Sequence, residues 1–148
     1  MIDTPAGFDP ALHLKVGVND VRGATPDKVA PERAHVASIL AFVAEWPREA
    51  PLLVHCWAGI SRSTATAFMT LCAIDPDTPE TVHAERLRTA SRHAYPNPLL
   101  VAHADALMER GGRMVDAIEA IGPGEPVWEG APFSLSVEIG AKPAGEAG

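Results

Sequence analysis

Sequence patterning predicts an α/β fold in which helices flank a mainly parallel central sheet. Three observations carry that expectation. The run Leu12-His13-Leu14-Lys15-Val16-Gly17-Val18 alternates apolar with polar or small residues, the period of a half-buried strand. The apolar run Pro51-Leu52-Leu53-Val54 reads as a short buried strand. Segments with helical spacing lie between and after these two.

The elements follow in chain order. After the strand at 12–18, Asn19 and Asp20 open a loop that Gly23 and Pro26 keep irregular. A helix is expected from about Pro31 to Trp46, with Ala34, Val36, Ile39, Leu40 and Val43 supplying its apolar positions. A second strand, 51–55, leads into a short loop. The small-residue run over 62–73 then reads as a helix able to pack tightly on a sheet. Helices follow without further strands: Thr78-Pro79-Glu80 starts one, Pro98 another, and Arg113 to Ile121 ends the set after Gly111-Gly112. One folded domain is expected over residues 1–122. A Pro/Gly/Ala-rich tail is expected over 123–148, with Trp128, Phe133 and Leu135 strapping across the domain and Gly140 to Gly148 expected to be disordered.

Composition narrows the function classes. With 148 residues and 47% hydrophobic side chains the chain has enough material for one core. Its net charge of −7 opposes binding to nucleic acid or to an acidic membrane surface. No apolar run is long enough for a membrane span, and no basic-then-apolar leader pattern is present, so the cytoplasm is the expected location. Two cysteines make no disulfide framework. Cys72, 16 residues after Cys56, is expected as a buried core thiol rather than its redox partner. The histidines at 83, 93 and 103 are ten apart and lack the short spacing of a zinc helix, so neither metal nor cofactor is expected.

The chemistry concentrates in His55-Cys56-Trp57-Ala58-Gly59-Ile60-Ser61-Arg62-Ser63, set between strand and helix. A loop at a helix N-terminus presents unpaired backbone N–H groups and a positive dipole end, which together bind an anion without lysine. Gly59 lets the backbone curl inward. The N–H groups of residues 57–62 and the planar guanidinium fork of Arg62 are the expected phosphate ligands. The same field lowers the pKa of Cys56 and makes it a nucleophile.

This loop resembles the signature of the cysteine-dependent protein tyrosine phosphatases and dual-specificity phosphatases: His-Cys, five residues, Arg, then Ser or Thr. Rhodanese-type sulfur carriers resemble it less, because their loop places four residues between Cys and Arg. The resemblance implies a compact bacterial-type phosphatase domain over residues 1–122. It also implies a phosphomonoester hydrolase, tyrosine-directed or of dual specificity, that works through a phosphocysteine without a metal. A phosphate-binding module without turnover, and a thiol redox or sulfur-transfer protein using the same loop, are the alternatives. The expected partner is a phosphorylated protein or a small phosphomonoester.

Such an enzyme needs an acid for the leaving group. Asp20, 36 residues before Cys56 at the end of the first strand, is the expected one, with Asp27, 29 residues before, as its rival in a turn or cap context. Ser63 matches the family hydroxyl that donates to the departing thiolate, and equally reads as a helix cap. His55 is expected to hold the loop and tune the thiolate by hydrogen bonds. Asn97, within Tyr95-Pro96-Asn97-Pro98, reads first as a helix N-cap, and by resemblance as part of the helix start behind the loop. His103 stands where many relatives carry a Gln. Trp57 is expected in the pocket wall or in the core. The neutral Trp57, Ala58, Ile60 and Ser61 favour a singly phosphorylated substrate over an inositol lipid. The 55 residues ahead of Cys56 are fewer than the resemblance implies, so either an upstream strand and helix are missing or the chain is a compact variant.

Overall fold

The computed structural model describes residues 2–138. A single 3-10 turn at Pro10–Leu12 precedes five helices: α1 (Arg33–Glu45), α2 (Arg62–Ile74), α3 (Glu80–Ala90), α4 (Pro98–Leu107) and α5 (Arg113–Ile121). Helix α2 packs on α1, α3 and α4, and α5 closes the far side against α3 and α4. None of these helices is long and apolar enough to cross a membrane.

Each helix has a local cause. In α1, Val36, Ile39 and Val43 recur at helical spacing and are buried. The Glu32 N–H donates to His35 Nδ1 at 3.0 Å at its start. Helix α2 is buried over Ser63–Ala65 and Phe68–Cys72. It tolerates three threonines because Thr64, Thr66 and Thr70 each donate a hydroxyl to the carbonyl four residues back. Helix α4 begins on Pro98 with Asn97 as its cap. The buried carboxylate of Asp105 caps α5 by accepting from the N–H groups of Gly112 and Met114, both at 2.8 Å. Phe68, Met69, Leu87, Leu100 and Met114 are fully buried at the centre. Each such side chain is worth about 2 kcal/mol relative to exposure.

An ion-pair cluster ties the helices together. Glu80, at the start of α3, accepts from Arg110 Nη1 at 3.0 Å and Arg113 Nε at 3.2 Å. Arg110 also donates to the Cys72 carbonyl at 2.8 Å. Burial raises the pKa of the Glu80 carboxyl, but the helix-start N–H and the two arginines outweigh burial and hold it below its ordinary value.

The expected mainly parallel sheet does not form. Among the described residues there is no strand at all, so the molecule is helical rather than α/β. The segments at 13–18 and 51–55 are extended, and their alternation is real: Leu14, Val16 and Leu52 lie against the helical core while Lys15, Gly17 and Leu53 are exposed; Leu12 instead ends the 3-10 turn and faces outward. A sheet needs backbone groups of neighbouring chains to pair in a ladder. Here no backbone hydrogen bond joins the two segments.

The chain beyond α5 also runs extended. Phe133 and Leu135 lie against the core, and Arg86 donates to the Ser136 carbonyl. Trp128 does not join them and is 98% exposed. Gly140 to Gly148 lies outside the described residues.

Candidate active site

The loop between the second extended segment and α2 curls around the Cys56 sulfur. Gly59, at φ +70°, supplies the left-handed residue that this curl requires. The Ser63 hydroxyl lies 3.2 Å from Cys56 Sγ. Burial raises the pKa of Cys56, but the Ser63 hydroxyl and the N–H groups of Ser63, Gly59 and Ile60 outweigh it and bring the thiol below its ordinary value. Cys72 behaves oppositely: buried in the core, its thiol is pushed up to about 12.

Arg62 opens α2 from the same loop. Its Nη1 donates to the Val18 carbonyl at 2.9 Å, which fixes the side chain against the first extended segment. Its Nε is buried without a hydrogen-bond partner. A buried guanidinium donor left unpaired costs stability unless an anion completes it.

Cys56 and Arg62 line a pocket of about 270 Å³ together with Asp20, Arg22, Trp57, Ala58, Ile60, Ser61 and Tyr95. Asp20 is brought to it by two hydrogen bonds: the Ser61 hydroxyl donates to Asp20 Oδ1 at 2.6 Å and Asn97 Nδ2 at 2.8 Å. Asn97 is fully buried and donates also to the Val21 carbonyl, while its Oδ1 caps α4. Backbone bonds join the two stretches further, Tyr95 N–H to the Ile60 carbonyl at 2.9 Å and Asn97 N–H to the Ser61 carbonyl at 3.1 Å. Cap and support of the loop are therefore one arrangement.

Other expected residues lie elsewhere. Asp27 is not part of the pocket lining; it sits exposed in a turn with φ +59°. His55 is exposed, and its ring reaches only the Cys56 carbonyl, at 3.5 Å. His103 Nε2 lies 3.1 Å from the Pro31 carbonyl, a contact between α4 and the start of α1. Trp57 stands at the pocket edge and is 91% exposed, so it belongs to the rim and not to the core.

Three features had no counterpart in the sequence reading. The Arg22 guanidinium sits 4.2 Å from the Tyr95 ring centroid, a cation–π pair on the pocket rim. The Val18 carbonyl anchors Arg62. Gly130 N–H donates to the Ala58 carbonyl at 2.7 Å, so the C-terminal segment is pinned directly to the phosphate-type loop. Only Arg22 carried a usable signal, two positions after Asp20.

A family model for protein-tyrosine phosphatase matches residues 25–97, a stretch that contains Cys56, Arg62 and Asn97 and begins after Asp20. No curated protein and no solved structure was found to match the chain. The thiolate-favouring loop, closed by an arginine and backed by Asn97, lies inside the matched stretch, and the match supports a protein tyrosine phosphatase-like family for the chain.

Proposed function

We infer that the protein hydrolyses phosphomonoesters, with phosphotyrosine in a polypeptide as the substrate class, through a phosphocysteine intermediate. The observation that carries this reading is the Cys56 sulfur, held below its ordinary pKa by the Ser63 hydroxyl and loop N–H groups in the pocket that Arg62 lines.

Phosphate oxygens bind the N–H groups of residues 57–62 and the guanidinium of Arg62, which spreads the charge that builds up as phosphorus becomes five-coordinate. The Cys56 thiolate attacks phosphorus in line with the ester oxygen. As the S–P bond forms and the P–O bond breaks, Asp20 in its acid form gives its proton to the leaving phenoxide. Asp20, now a carboxylate, takes a proton from water, whose oxygen attacks phosphorus. The S–P bond breaks, the electron pair returns to Cys56, and the Ser63 hydroxyl donates to the released thiolate. Inorganic phosphate leaves and Asp20 is again protonated.

Asp20 suits this role by position: it lines the pocket with Cys56, and the amide of Asn97 and the hydroxyl of Ser61 both donate to its Oδ1. The neutral loop side chains favour a singly phosphorylated ester.

Hydrolysis of p-nitrophenyl phosphate and of a phosphotyrosine peptide in the presence of EDTA tests the reading, with Cys56→Ser as the comparison. Turnover that survives chelation and disappears in Cys56→Ser is the expected result. Full turnover in Cys56→Ser, or none in the folded wild type, removes the phosphocysteine mechanism.

A further inference from the structure

A second concavity adjoins the pocket. Trp57 and Ala58, which line the pocket over Cys56, also form one wall of a shallow groove of about 320 Å³ whose other wall is Trp128 and Glu129. Both indoles are almost wholly in solvent, at 91% and 98% exposure. Large aromatic surfaces left in water mark a contact site more often than chance.

The groove is fixed relative to the pocket. The Gly130 N–H bond to the Ala58 carbonyl, 2.7 Å, fastens the strap one residue beyond Glu129. A Cβ at Gly130 would lie 2.8 Å from the Gly59 carbonyl oxygen, so glycine alone permits this approach. The backbone that carries both walls is thus held in place before a ligand arrives.

Charge selects the occupant. Two indole faces attract a cation, and Glu129 adds a carboxylate beside them. On another part of the rim Arg22, stacked on Tyr95, gives the pocket mouth a positive side chain. A cationic side chain next to the phosphorylated residue is drawn to the tryptophan side and repelled from the Arg22 side. The chain's net charge of −7 acts in the same direction.

The geometry points to a subsite, formed by Trp57, Trp128 and Glu129, for a lysine or arginine side chain close to the phosphorylated residue of a polypeptide substrate. This rests on the phosphatase reading above and names the substrate class of the same site: phosphopeptides with a basic neighbour.

Three phosphotyrosine peptides that differ only in the flanking residues, lysine, norleucine or glutamate, test it on the full chain. The wild type is expected to prefer lysine over norleucine in kcat/KM about tenfold, mainly through KM, with glutamate poorest. In Trp128→Ala and in Glu129→Gln the lysine-to-norleucine ratio is expected to collapse toward one. No preference in the wild type, a preference for norleucine, or a ratio that survives both substitutions overturns the subsite. Calorimetric binding of the same peptides to Cys56→Ser reads the groove without turnover. A lysine preference in binding without hydrolysis by the wild type keeps the subsite and removes the enzyme. Hydrolysis without the preference does the reverse.

Discussion

The side-chain amide of Asn97 joins Asp20 to the start of α4: Nδ2 donates to Asp20 Oδ1 at 2.8 Å, while Oδ1 accepts from the N–H groups of Leu99 and Leu100 at 3.0 and 3.2 Å. One buried side chain therefore sets both a helix end and the aim of the proposed acid.

Asn97→Ala removes both. It is expected to lower unfolding stability by about 2 kcal/mol in urea, from the lost cap and the unpaired groups left behind. Turnover of phosphotyrosine should fall more than that of p-nitrophenyl phosphate, whose leaving group needs less protonation. Asn97→Asp keeps the cap acceptor but sets a second carboxylate against Asp20. The same split between the two substrates is expected there, with the cap retained. Equal losses on both substrates would separate Asn97 from the aim of Asp20.

Removing the acid itself gives a clearer split. Asp20→Ala is expected to reduce phosphotyrosine turnover by about a hundredfold or more and aryl phosphates with good leaving groups far less. Equal losses on both substrates would assign the role to another group.

Ser63→Ala deletes the hydroxyl beside the Cys56 sulfur. The midpoint of iodoacetamide alkylation against pH should rise, because the side-chain donor that lowers the thiol pKa is gone. The linkage has a definite sign. A folded thiol below its ordinary value contributes stability at pH above the unfolded value, and that contribution is lost as pH falls through the folded one. Wild type and Ser63→Ala should therefore differ most in stability at alkaline pH. An unchanged alkylation midpoint would leave Ser63 as a helix-start residue only.

The Glu80 cluster makes a stability prediction away from the pocket. Arg110→Met removes one partner of a buried pair and is expected to cost about 3 kcal/mol in denaturant melts. Because the Glu80 carboxyl is held below its ordinary value, its contribution is fully present above the unfolded carboxylate range and is lost as pH falls through the folded value. The gap in Tm between wild type and Glu80→Gln should narrow below about pH 4. A gap independent of pH would mean that packing, not charge, holds α3 to α5.

Gly130→Ala tests the strap by sterics alone. The new methyl meets the Gly59 carbonyl oxygen at 2.8 Å, so strap or loop must move. A loss of about 1–2 kcal/mol is expected, with faster proteolysis around residue 130 and changed tryptophan fluorescence. Wild-type resistance to protease would show that the strap has another hold.

Much of the helical layer was readable in the chain. Pro98 with Asn97, and the Gly111-Gly112 break, mark local starts and stops whose physics lies within a few residues. The Cys56 loop was readable for the same reason, because the curl and its donors are contiguous. The sheet was misread because alternation in Leu14 and Val16 or in Leu52 reports one-sided burial, and burial against helices produces the same pattern as burial within a paired sheet. His55 and His103 were placed by analogy of position, and what each ring touches depends on neighbours distant in sequence. The Val18 carbonyl, the Arg22–Tyr95 stack and the Gly130 contact are encounters between remote stretches, which no local pattern encodes.

The Gly130–Ala58 bond has a consequence for biosynthesis. A ribosome releases Cys56 and its helix long before it makes the residues that hold the loop from outside, so a nascent chain carries the thiol ahead of its finished setting. Any chain cut short before Trp128 keeps the His55–Ser63 signature intact and still lacks the donor for the Ala58 carbonyl. That outside hold on the Ala58 carbonyl is thus added only after all five helices have been made, whereas the donors that act on the sulfur, at Ser63, Gly59 and Ile60, arrive with the loop itself.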